Sequence, residues 1–148
     1  MTGTSSSQLA GVASTSAPRS LGYRIGVLTA AVIAAVAVNA GIAALAVAAG
    51  APAHFAPLTL PVFAGCTVVP MVVGWFAWRA VSRRVRNPRR TMPQIALAVL
   101  IVSFVPDVLL LVTGFIPGAT LVGVIALMTM HIVVMGVAVV GYRLADRR

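Results

Sequence analysis

The sequence predicts an all-α integral membrane protein, a four-helix up-down bundle with both termini cytoplasmic. Three observations carry this. Of 148 residues, 60% are hydrophobic and only 9% charged, whereas a soluble domain carries about 25% charged residues. The apolar residues fall into four runs, each close to the roughly 20 residues that a helix needs to cross a hydrocarbon core. The arginines gather between and beside those runs: six of the twelve residues from Arg79 to Arg90 are arginine. Each would cost about 2.5–3.5 kcal/mol at the centre of a spanning helix. Short arginine-rich loops stay on the cytoplasmic side, so Arg79, Arg83, Arg84, Arg86, Arg89 and Arg90 set the orientation of every other segment.

Residues 1–20 are rich in Ser, Thr, Ala and Gly, lack apolar periodicity, and read as a disordered cytoplasmic tail. The four-span domain follows over 21–142. Its first span, 25–49, is uncharged and dominated by Ala and Gly. It is about twice the length of a signal-peptide core, so an uncleaved anchor is expected. Small residues recur there at four-residue spacing, as in Ala37, Gly41 and the neighbouring Ala44. Such residues let helix backbones approach closely where no water drives association. They predict packing against the chain's own helices, a second copy or another membrane protein.

The turn after Gly50 holds Pro52 and Pro57, which cannot continue a helix. The second span is 58–78, with Pro70 inside it as an expected kink and Trp75 and Trp78 at interface depth. The basic loop is expected to run to Pro93. The third span is 94–115, containing Ser103, a second expected kink at Pro106, and Asp107. After a tight turn the fourth span, 119–142, carries His131, and 143–148 form a basic cytoplasmic tail. Both turns on the other side hold no arginine. An even number of spans then puts both termini on the arginine side. Tyr23 and Tyr142 join the two tryptophans as markers of that interface.

Helix rise converts position into depth. Asn39 is fifteen residues beyond Arg24 and so lies about 22 Å deep. Asp107, thirteen beyond Gln94, lies at about 20 Å. His131, twelve before Arg143, lies at about 18 Å. Three spans thus place a strongly polar group in one layer near the midplane. Ser103 sits one turn from Asp107 on the same helix face. The candidate site is this set: Asn39, Ser103, Asp107 and His131. A carboxylate alone in hydrocarbon keeps its proton, and one beside an imidazole shares it. Intramembrane ionisable groups suggest proton or cation handling. The same groups also serve as hydrogen bonds that fix helix register, worth about 0.6 kcal/mol each on average in membranes. Both readings stay open.

Other classes find little support. A net charge of +9 can mean nucleic acid, but here the charge borders apolar runs instead of covering a solvated face. No nucleic-acid partner is expected. The basic loop should instead meet the bilayer and attract anionic lipid headgroups. Two His, one Cys and two Asp are too scattered for a metal centre. No cofactor motif occurs, and no catalytic site is expected.

The chain resembles an actinobacterial family of small four-span membrane proteins catalogued as a domain of unknown function. The resemblance covers 21–141. It rests on the Ala-rich first span, Arg86-Asn-Pro-Arg-Arg90, Ser103-Phe-Val-Pro106 and Leu127-Met-Thr-Met-His131. It implies four helices and a plasma-membrane location, and it supplies no activity.

Overall fold

A computed structural model describes residues 20–146. The tail expected over 1–20 falls outside them except for Ser20, as do Arg147 and Arg148. Among the described residues there are four α-helices, α1 (Leu21–Ala48), α2 (Leu60–Ser82), α3 (Pro88–Thr113) and α4 (Leu121–Asp146), and one 3-10 turn at Ala56–Leu58. Among the described residues there is no strand. Every helix is long and apolar enough to cross a membrane, and the chain is a multi-pass membrane protein.

The helix ends follow local chemistry. The Ser20 hydroxyl accepts from the Tyr23 N–H at 3.3 Å and caps α1. Pro88 occupies the first position of α3, where the missing N–H costs nothing. Gly114, at φ 61°, closes α3 by donating its N–H to the Leu110 carbonyl at 3.1 Å. All four helices run past the expected spans at their arginine ends. Arg79 lies in the last turn of α2, Arg89 and Arg90 lie in the first turn of α3, and Pro93 lies inside α3. The basic loop is therefore only 83–87. Arginine is a good helix former, and a helix satisfies its own backbone in water as well as in lipid. The sequence marks where a span leaves the bilayer, not where its helix stops. Pro70 and Pro106 both lie inside helices that continue through them.

The helices alternate in direction. At one end the two turns meet: a β-carbon added to Gly118 would lie 3.3 Å from His54 Nε2, and one added to Gly123 would lie 3.0 Å from the buried Phe55 ring. At the other end Tyr142 of α4 stacks near Trp75 and Trp78 of α2, with ring centroids 5.6 and 5.7 Å away. All described arginines lie toward that second end. The centre of the bundle is α4. It packs most extensively on α1 and also meets α3 and α2, whereas α2 and α3 scarcely touch. Its contact with α1 is built from small residues. Ala35 and Ala145 are fully buried, and a β-carbon at Gly141 would lie 3.0 Å from that of Ala31. Close backbones are what membrane helices need when dispersion, not water, holds them together.

Trp75 and Tyr142, expected at interface depth, turn inward. Both are buried, and the Tyr142 hydroxyl donates to the Met71 carbonyl of α2. Arg79 stands over Trp75, 5.5 Å from the ring centroid. The absence of a side chain at Gly74 makes room for the hydroxyl, since a β-carbon there would lie 2.6 Å from it. Gly74→Ala should therefore cost about 1 kcal/mol of stability in detergent unfolding. Adding Tyr142→Phe should recover part of that loss, because the hydroxyl is the atom displaced. Fully additive losses would show that this contact does not matter.

Candidate functional site

The polar layer is present, and it separates two apolar cores. Toward the turns the core includes Ala43, Phe55, Phe63 and Met130; toward the arginines it includes Ala35, Met71, Trp75 and Ala138. Asn39 falls between Ala35 and Ala43 on α1. His131 falls between Met130 and Ala138 on α4. Thr67, between Phe63 and Met71, is the contribution of α2.

Within this layer the four expected residues do not form one cluster. Asp107 and His131 come together: His131 Nδ1 lies 3.1 Å from Asp107 Oδ2, joining α3 to α4. Asn39 turns to α2 instead. Its Nδ2 donates to Thr67 Oγ1 at 2.9 Å, and Thr67 donates to the Phe63 carbonyl at 2.7 Å. Ser103 spends its proton on the Leu100 carbonyl of its own helix at 2.7 Å. Among the described residues no hydrogen bond links Asn39 or Ser103 to Asp107 or His131. The layer was set by rise along each helix. Rotation about each axis decides who meets whom: it joins Asp107 to His131, turns Asn39 to Thr67, and leaves Ser103 bonded to its own helix.

Thr67 was not among the expected site residues, although the same depth count finds it. It lies twelve residues before Arg79, or about 18 Å by helix rise. A threonine draws less notice because it can satisfy itself on the carbonyl one turn back, and Thr67 does so while also accepting from Asn39. Both residues are about 1% exposed.

The Asp107–His131 pair has a proton shortage. His131 Nδ1 is also 2.9 Å from the Leu127 carbonyl one turn back. A carbonyl only accepts, so the hydrogen-bond network assigns the ring proton to Nδ1. That single N–H faces two acceptors, with the carbonyl nearer. Asp107 Oδ2, on a residue 5% exposed, has no full hydrogen bond among the described residues. It is held by proximity to the shared N–H. Phe104 closes one side of the imidazole edge-on, with centroids 6.3 Å apart. Among the described residues no third metal-ligating side chain joins the pair. Ser103 bonds its own backbone, and among the described residues no hydroxyl bonds the imidazole.

Most of α3 is exposed; Ala96, Leu100, Phe104 and Leu110 are half-buried, and Leu110 packs on the core near the turns. Met92 and Asp107 are the buried residues of that helix. The pair with His131 is thus a principal attachment of α3 to the bundle.

The arginines form no single surface patch. Arg79 packs on Trp75, Arg83, Arg84 and Arg86 are exposed around the short loop, and Arg89 and Arg90 open α3. On α1 the buried face carries Ala35, Asn39, Ala43 and Ala46, whereas Ala37, Gly41 and Ala44 are exposed.

Residues 19–148 match the model of a family described as a family of unknown function, DUF6069. No curated protein and no solved structure matches the chain.

Proposed function

We propose that this chain, which belongs to the DUF6069 family, is a plasma-membrane accessory component that assembles with a second copy or with another membrane protein through the Ala37–Gly41–Ala44 face of α1. One observation carries the reading. Helix α1 buries its Ala35–Asn39–Ala43 face in the bundle and keeps a second small-residue face exposed. A β-carbon at Gly41 would meet nothing within 4 Å. A lipid-facing surface gains nothing from small residues, but a helix–helix contact does. In this reading the two polar pairs fix register inside the chain. Changing Ala37 and Gly41 together to leucine should abolish the complex trapped by crosslinking in membranes and leave the monomer folded. A complex of unchanged size would exclude this face.

Orientation is part of the same proposal. The arginine end and both termini lie in the cytoplasm, as the clustering of charge at one end supports. There the exposed arginines attract anionic headgroups. A reporter fused after Arg148 should be active only in its cytoplasmic form; an extracytoplasmic signal would invert the scheme.

A second reading is favoured by the under-satisfied oxygen of Asp107. A buried carboxylate that shares one N–H with a carbonyl is suited to take up and release a proton, and the chain would then move protons or cations. Proton flux in proteoliposomes, with and without Asp107→Asn, tests it.

A further inference from the structure

We infer that the gap between α2 and α3 at the arginine end is a binding site for one acidic glycerophospholipid, with an acyl chain in the gap and the phosphodiester at its mouth. The gap is an apolar slot of about 200 Å³ whose floor is α4, with walls that include Gly74 and Ala77 of α2 and Ala96 and Val99 of α3. The space beside Gly74 already holds the Tyr142 hydroxyl, and Trp78, Met92 and Val99 line the slot beside the small Ala77 and Ala96, so the two helices stay apart where α1 and α4 close. An apolar slot of this size gives water nothing to bond, and an empty one would forfeit the dispersion contacts of its walls. A hydrocarbon chain entering sideways from the bilayer satisfies it.

The slot does not end in hydrocarbon. Trp78 and Met92 line it and also line a polar opening of about 490 Å³ at the arginine end, where Ser82, Arg89, Arg143 and Asp146 stand. Two guanidinium groups face one carboxylate there, which leaves one positive charge for a phosphodiester to neutralise. Guanidinium groups suit phosphate oxygens, which they can engage two at a time. The first turn of α3 begins at the same opening and adds the positive end of a helix dipole. An apolar slot that holds part of an acyl chain and is continuous with a cationic mouth matches the polarity of a single phospholipid. It goes beyond the general attraction of a basic surface for an anionic leaflet, because it distinguishes Arg89 and Arg143 from the other arginines.

The chain has two tryptophans, and one of them lines both parts of the site. In the full-length Trp75→Phe variant, Trp78 is the only one left and reports occupancy. Reconstituted in phosphatidylcholine vesicles, Trp78 should be quenched by acyl-brominated phosphatidylglycerol at a lower mole fraction than by brominated phosphatidylcholine. The expected preference is roughly fivefold for each arginine engaged. Arg89→Gln with Arg143→Gln should remove the preference, and Ala96→Leu, which fills the slot, should remove it while keeping every charge. Arg84→Gln with Arg86→Gln should leave most of it. Equal quenching by the two lipids would overturn the site. So would equal losses from the two arginine pairs, which would reduce it to surface attraction. A preference for brominated phosphatidylethanolamine matching that for phosphatidylglycerol would overturn the assignment of an acidic headgroup. The arginine variants are at exposed positions, so these outcomes can be read even if the slot-filling variant fails to fold.

Discussion

Gly141→Leu should be among the most damaging single substitutions in this chain, because it separates α1 from α4. A β-carbon at 141 would already lie 3.0 Å from that of Ala31, and leucine adds three more carbons in that direction. Ala35 and Ala145 are fully buried, so a leucine that does not turn into the groove lined by Ala31 and Gly141 pushes the two backbones apart. In a bilayer such a seam is held by short-range dispersion, which falls off steeply with separation. The expected loss is at the upper end of the overpacking range, about 3 kcal/mol. Gly141→Ala should cost much less, since a shift of a few tenths of an ångström would accommodate one methyl. Denaturant titration of the purified protein in detergent measures both. Gly41→Leu is the matched control: the same substitution on the outer face of α1, where nothing lies within 4 Å, should leave monomer stability unchanged. If Gly141→Leu is as stable as Gly41→Leu, the seam is not what holds α1.

That contrast shows how much of the molecule is legible in its sequence. Four spans and their alternation follow from the solvent: a bilayer demands runs of about 20 apolar residues and keeps arginine at their ends. Depth is legible too, because rise per residue is fixed, and Asn39 and His131 do fall in one layer between two cores. Azimuth is not legible. In a soluble helix the polar face announces which side is buried. Here every face is apolar, so nothing in the sequence separates Ala35, Asn39 and Ala43, which are buried in the bundle, from Ala37, Gly41 and Ala44, which are exposed. For the same reason depth alone groups Asn39 with Asp107 and not with Thr67. Tyr142 and Trp75 likewise read as interface residues, because depth places them near the headgroups and says nothing of the direction they point.

The second large effect is expected from His131→Leu. Asp107 is 5% exposed, and the Nδ1–H of His131, 3.1 Å away, is the donor nearest its Oδ2. Leucine leaves the carboxyl group buried with no partner from α4. The cost lies between about 1 kcal/mol, the scale of an interhelical hydrogen bond in a membrane, and about 3 kcal/mol, the scale of an acidic residue at a helix centre. It falls on α3, whose buried residues are Met92 and Asp107, so α3 should loosen first and become more accessible to cysteine labelling along the α4-facing side. Changing Asp107 as well, in Asp107→Leu/His131→Leu, should recover most of the stability, because two apolar side chains leave nothing unsatisfied. A double variant no better than the single would mean that the pair is not what holds α3. Asp107→Asn then separates the two functional readings. An amide keeps an acceptor oxygen for the imidazole N–H, so a register contact survives it and the α1-face complex stays intact. An amide cannot release a proton, so a proton pathway does not survive it. Flux present in the wild type and lost in Asp107→Asn would make the pair a proton site. An assembled, crosslinkable complex with no flux in either protein would leave it a latch between α3 and α4.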